Sequence, residues 1–197
     1  MADILLTILV PSITTRTKRL GKLLRRLAAQ AEDRPVELLC WVDNMVRSIG
    51  RKRDDLIQAA QGRFLAFVDD DDNVPDCYVS VALEYIRANP DADVFAIQQE
   101  CFWNGAGPYY VDFSIEYTDE ELNRTAPGAW TKRFISHSCI WRSSLAQQVN
   151  VPHKMYFEDV EWARDAAKLV QREIRIPRVM HIYKYDDLVS EGHDRNG

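Results

Sequence analysis

Four consecutive carboxylates, Asp69, Asp70, Asp71 and Asp72, follow the apolar run Phe64 to Val68. Adjacent aspartates repel one another. A divalent cation relieves that repulsion best, because hard cations prefer charged oxygen ligands. The competing reading, a solvated acidic turn, has no need of four identical charges. Other residues with chemical potential lie apart in sequence. Asp43 ends a second apolar run, Val36 to Val42, and is followed by the basic stretch Arg51-Lys52-Arg53. Glu158 and Asp159 open a late helix, where the helix dipole alone would favour acids. His181 stands among apolar residues in a late strand, so a hydrogen-bonded core histidine competes with a metal ligand.

Elements of definite kinds must position these groups. Ile4 to Val10 has the length and composition of a strand and ends at Pro11-Ser12, before a turn that contains Arg16. Leu20, Leu23, Leu24 and Leu27 recur at helical spacing and predict a helix over about 17–31. The polar stretch from Arg47 to Arg53 reads as a loop, with a helix over about 54–60. Asp76 reads as an N-cap for a helix reaching Ala88. Further strands are expected over 93–101, 109–113 and 137–141, then 174–176 and 178–184. Helices are expected over 119–122, 143–149 and from Met155 to about Val170, and residues 190–197 read as a frayed tail. Strand–helix repetition in the first half implies right-handed parallel crossovers. The ends of three strands, near Ser12, Asp43 and Asp69, then line one sheet edge, where α/β proteins place ligands.

Bulk properties narrow the class. A chain of 197 residues suits one well-cored domain. No apolar run approaches the roughly 18 residues of a membrane span, and the start lacks the basic region of a signal peptide. Four widely spaced cysteines without a C-x-x-C pair suggest buried free thiols in the cytoplasm. Residues 1–66 carry 12 Lys and Arg against 7 Asp and Glu, whereas residues 67–197 carry 13 against 23. A basic first part suits an anionic ligand and an acidic remainder suits a cation.

The order of these motifs resembles the family 2 glycosyltransferases of the GT-A fold. Ile8-Leu9-Val10-Pro11-Ser12 is similar to their opening strand, and Gly50-Arg51-Lys52-Arg53 with 60–68 to the approach to their acidic signature. Asp69-Asp70-Asp71 satisfies D-x-D, and Phe157-Glu158-Asp159-Val160 resembles their late E-D motif. Asn44 after Asp43, and Asp54 after Arg53, depart from the frequent pattern. The resemblance implies a single α/β domain with a mostly parallel, helix-flanked sheet. Residues 1–103 would form its nucleotide-sugar half, 104–189 its acceptor half and 190–197 its tail. It implies inverting transfer from a nucleotide diphosphate sugar, with UDP as the expected nucleotide, assisted by Mn²⁺ or Mg²⁺. Asp71 is then the first metal ligand, with Asp69 at the ribose or metal and His181 completing the site. Asp72 is a second ligand or a loop stabiliser. Ser12, Arg16, Asp43, Arg53 and Asp70 fall to the donor side. Asp159 matches the base and Glu158 stands beside it, with burial near Tyr156, Phe157 and Trp162 expected to raise the base's pKa. The acceptor stays open among glycan, protein and a hydroxymethylated DNA base, which would have to be flipped out. An inactive binding domain and a nucleotidyltransferase are the alternatives; the first strand lacks the glycine-rich phosphate loop of the latter.

Overall fold

A computed structural model describes residues 3–185. Three strands, β1 (Leu6–Ile13), β2 (Val36–Asp43) and β3 (Phe64–Phe67), pair in parallel with β1 central. Helices α1 (Thr17–Ala31), α2 (Ile49–Ala59) and α3 (Tyr78–Ala88) flank them. α1 buries Leu20, Leu23 and Leu27, a stripe one side chain wide, each worth about 2 kcal/mol of apolar burial. β3 is buried on both faces, which is why its sequence is a continuous apolar run without alternation.

The second half departs from simple repetition. β4 (Val94–Trp103) and β5 (Ala106–Ser114) form an antiparallel hairpin, and β6 (Trp130–Phe134) lies parallel to β5. The short β7 (Ile140–Arg142) runs antiparallel between β3 and β4. β8 (Glu173–Tyr185) follows β4 in parallel with register shifts, giving an eight-stranded sheet of order β2-β1-β3-β7-β4-β5-β6 with β8 on β4. Four of the seven strand pairings are parallel, so the sheet is mixed and its parallel character is strongest in β1–β3. α4 (Ser143–Ala146) and α5 (Glu158–Ala167) complete the fold. Trp162 of α5 packs edge-on against Trp141 and Phe67, fixing α5 over the end of β3.

Several expected elements differ. The basic stretch is not a loop: Ser48 caps α2 by accepting a bond from Arg51 N at 3.2 Å, and Lys52 and Arg53 lie inside the helix. Both are buried, so two charges occupy the face where apolar periodicity would betray a helix. Asp76 does not cap α3; its carboxylate takes Arg26 at 2.7 Å. Residues 119–122 form no helix, and the two final strands are one. Of the four free cysteines, Cys101 and Cys139 are buried but Cys40 and Cys77 are exposed. The expected tail lies outside the described residues.

Candidate active site

A cleft of about 970 Å³ opens where β1 and β3 end, and its far wall comes from β4, β5, β8 and the start of α5. After β3 the chain turns, with Asp72 N donating to Asp69 O at 3.0 Å, so the four aspartates fan out instead of alternating along a strand. Asp70 is buried away from the others. Ser12 Oγ donates to its Oδ2 at 2.5 Å and Arg16 Nη1 to its Oδ1 at 2.9 Å. Arg16 also reaches Asp71 Oδ2 at 3.0 Å. Ser12, Arg16 and Asp70 therefore form one bonded group at the floor of the cleft.

Asp43 sits differently. Its carboxylate accepts from Met45 N and Arg47 N, closing the turn after β2, and pairs with Lys52 Nζ at 2.6 Å. The same Nζ donates to Ser12 O at 3.1 Å, so one buried ammonium ties two strand ends together. Burial would raise Asp43's pKa, but the Lys52 bond and the two backbone amides hold it below the usual carboxylate range. Among the described residues, Asp43 is not in the cleft lining.

Arg53 is the hub of the opposite side. Its Nη2 donates to both oxygens of Asp69, at 2.8 and 2.7 Å, and its Nη1 to Glu158 Oε1 at 2.5 Å. Glu158 is thereby buried and engaged, whereas Asp159 faces the cleft and meets His137 Nδ1 at 3.0 Å. His137 Nε2 lies 3.8 Å from Asp69 and its ring packs against Phe67. Burial and Arg53 oppose a charge on His137, but Asp159 and Asp69 prevail and raise its pKa to about 9. Asp159 responds in the opposite sense to the sequence-based expectation. Its burial is more than offset by His137 and Arg53, which hold it far below the usual range. Tyr156 and Phe157, expected to bury it, are exposed. Asp69 is likewise depressed, its burial overcome by Arg53 and His137.

His181 joins the aspartates through strand pairing. Asn73 and Ile182 exchange backbone bonds at 3.0 and 2.8 Å, drawing the segment after the turn against β8. His181 Nε2 then stands 3.3 Å from Asp72 Oδ2, and its Nδ1 meets Gln99 Nε2 at 2.8 Å across the β4–β8 register. Burial and the charge of His137 pull His181 down to about 4, so the imidazole is neutral at pH 7. Burial pushes Asp71 and Asp72 up, and neighbouring carboxylates push them further. Arg16 Nη1, 3.0 Å from Asp71 Oδ2, offsets that rise at Asp71 only in part.

Among the described residues, no three His, Cys, Asp or Glu side chains form a ready-made cage for an ion. A cation that also binds phosphate oxygens needs only one or two protein carboxylates. Asp71 and the Asp72–His181 pair, where carboxylates crowd one another, fit such a cation. Both Asp69 oxygens are already held by Arg53. His137 lies in a short polar turn that points to no role by itself, and Gln99 carries no sequence signal at all, since only strand register brings it to the site. The alternation Ser136-His137-Ser138 ahead of Ile140–Arg142 was the one hint of a polar turn placing an imidazole at a strand end. Tyr109 and Trp141 are core residues, while Trp130 is half exposed and stacks on Tyr110.

Residues 17–148, two thirds of the chain, match the model of "Glycosyl transferase family 2". The chain belongs to this family. The matched span includes β2, β3 and the aspartates but ends before Glu158 and Asp159. No curated protein sequence matches the chain. Among solved structures, it is similar to S. aureus TarS 1-349 in complex with UDP-GlcNAc, at 17% identity and a TM-score of 0.67, covering 93% of this chain and 59% of that one. The same TarS fragment in complex with UDP gives 17% identity and a TM-score of 0.65, covering 92% and 61%. At this identity the likeness shows the fold, a GT-A glycosyltransferase fold. The family 2 chain described here spans about 60% of the TarS fragments it matches. Among the described residues, no helix is long and apolar enough to cross a membrane.

Proposed function

We propose that this family 2 glycosyltransferase moves a sugar from a nucleotide diphosphate donor, UDP-linked as in the TarS complexes, to an acceptor hydroxyl with inversion. The observation that carries the reading is the placement of Asp159, ionised and facing the cleft, in the same cavity as Asp69, Asp71, Asp72 and His181. One divalent cation fits the donor side, with Asp71 as first ligand and Asp72 and His181 beside it. When bound, Mn²⁺ or Mg²⁺ supplies positive charge to a leaving diphosphate. Asp69, fixed by Arg53, serves the ribose. Arg16 adds a positive charge at the floor, held by Asp70 and Asp71.

The reaction is a single displacement. The acceptor oxygen forms its bond to the anomeric carbon as the bond to the diphosphate oxygen breaks, and the nucleotide leaves with that electron pair. Asp159 takes the acceptor proton. Its low pKa makes it a weak base in the ground state. His137 orients the carboxylate and holds it ionised, so no fraction of the protein is lost to a protonated base. Glu158 does not compete for the proton, because Arg53 holds it. In this reading the described residues up to 103 form the donor half, completed by His181 of β8, and the described residues from 104 onward otherwise form the acceptor half. Four free cysteines, two of them exposed, support a reducing compartment such as the cytoplasm.

The test is a donor screen: hydrolysis of UDP-, GDP- and TDP-sugars with and without Mn²⁺. Metal-stimulated release of UDP is expected. Folded protein that turns over no donor, or does so equally well without metal, refutes the reading. Asp71→Asn should abolish metal-dependent donor binding measured by calorimetry; binding that stays metal-dependent would move the metal elsewhere.

A further inference from the structure

Phe157 breaks three local rules at once. It stands at the N-cap of α5, where Ser, Thr, Asp or Asn would satisfy a free backbone amide, and its side chain makes no capping bond. Its backbone is left-handed, with φ 63° and ψ 9°, a conformation that suits Gly or Asn and is a genuine outlier for a bulky residue. The residue is 64% exposed, so it contributes little to the core. Capping, backbone preference and burial all argue against Phe here. Such violations gather where a side chain serves a ligand.

The surroundings supply that ligand's site. Met155 and Tyr156 are also about half exposed, and all three line the cleft directly ahead of Glu158 and Asp159. Their loop is anchored from behind. Gly50 N donates to Lys154 O at 3.1 Å, and a Cβ on Gly50 would sit 1.9 Å from Pro152 O, so only glycine admits this approach. The aromatic groups thus stand on a braced loop at the mouth of the site.

We propose that Phe157 and Tyr156 form a stacking platform for a pyranose ring, making the acceptor a carbohydrate whose hydroxyl is presented to Asp159. This rests on the glycosyltransferase reading, since it gives Asp159 its proton to take. A pyranose has the required pairing of features: a rigid face of C–H bonds for an aromatic ring and hydroxyls at its edge. The adjacent cleft wall supplies fixed polar groups for those hydroxyls. Asp119 accepts from Arg164 at 2.9 Å and faces Arg133 at 3.7 Å, and Asp119 and Arg133 both line the cleft. A serine or threonine acceptor in a protein has a hydroxyl but no ring to lay on Phe157. A lipid chain needs a continuous apolar trough, whereas the residues flanking the platform are the Lys154–Glu161 ion pair on one side and Glu158 and Asp159 on the other. A polyanionic nucleic acid would meet that same acidic flank.

The test is saturation-transfer NMR on the full chain with methyl glycosides of glucose, galactose and N-acetylglucosamine, irradiating aromatic protons. Transfer to the ring C–H protons of at least one glycoside is expected. Phe157→Gly should weaken that glycoside's binding by about tenfold. It should melt at or above the wild-type temperature, since glycine suits the left-handed backbone. Phe157→Tyr should bind like the wild type, restoring the ring. No glycoside contact in a protein that binds UDP would overturn the carbohydrate assignment while leaving the donor reading intact. Undiminished contact in Phe157→Gly, or contact with hydroxymethylated DNA or lipid vesicles and not with glycosides, would overturn it too. Glycoside binding without UDP binding would uphold the platform and sink the donor reading.

Discussion

Replacing Arg53 with Met should cost more stability than any other single surface-distant change near the cleft, and the cost should depend on pH. Arg53 is 4% exposed and holds Asp69 through two bonds and Glu158 through one. Met keeps much of the volume but leaves two carboxylates facing an apolar stem. Removing one partner of a buried ion pair costs about 3–5 kcal/mol. For a chain of this size that corresponds to a Tm lower by roughly 10 °C. The pH sign follows from linkage. Asp69 has a depressed pKa in the wild type, so its contribution is present above the unfolded value near 4 and lost as pH falls through the folded one. In the variant, Asp69 would be raised and Glu158, which burial already raises in the wild type, would rise further without Arg53, and acid would relieve both by protonation. Between pH 7 and pH 5 only the protonation in the variant narrows the gap; the loss of the wild-type Asp69 contribution begins below about pH 4. Urea denaturation at pH 7 and pH 5 should therefore show a difference of about 4 kcal/mol shrinking to about half. A gap below about 1 kcal/mol at pH 7, or one that does not change with pH, would show that these carboxylates do not depend on Arg53.

Asp159→Asn should retain UDP-sugar binding by calorimetry while transfer falls by roughly 10²- to 10⁴-fold; loss of binding as well would make Asp159 structural. His137 has a folded pKa of about 9 against an ordinary 6.5, so its stabilisation is full below 6.5 and lost as pH rises through 9. Thermal melts of the wild type should decline across that window and those of His137→Gln should be flat; parallel curves would remove His137 from the Asp159 network. Ser48→Ala should lower stability by about 1 kcal/mol in chemical denaturation, the value of a helix cap, and an unchanged midpoint would show that α2 starts without it.

How much of this was legible beforehand depends on which force shaped each segment. β1, β2 and β3 are apolar runs of strand length, buried in β1 and β3 and half-buried in the edge strand β2, so hydrophobicity announced them and with them the meeting of Ser12 and Asp69; Asp43 ends β2 outside the cleft lining. α2 was misread at its start because Lys52 and Arg53 occupy its inner face, stabilised by Asp43, Asp69 and Glu158. Partners 9 to 105 residues away are invisible to a local window. The direction of β7 and the unity of β8 were hidden for the same reason, since strand pairing is settled by contacts across the chain. The four aspartates were found but not their bonding. A turn fans them out, so Asp70 faces Ser12 and Arg16 while Asp72 faces His181. The pKa of Asp159 went the other way from expectation because His137, fixed by a polar turn before β7, outweighs burial.

The pairing of Asn73 with Ile182 has a consequence for synthesis. It closes one of the longest loops in the molecule, and long-range strand pairing is slow to form. As the chain leaves the ribosome, β1–β3 and the aspartate turn emerge long before β8. Until β8 docks on β4, His181 is missing and the loop after Asp72 has no strand to lie against. The acidic corner therefore exists first as four aspartates alone. It acquires its histidine only when nearly all of the described chain has been made, so the cation site proposed above would be completed late, after the fold around it is in place.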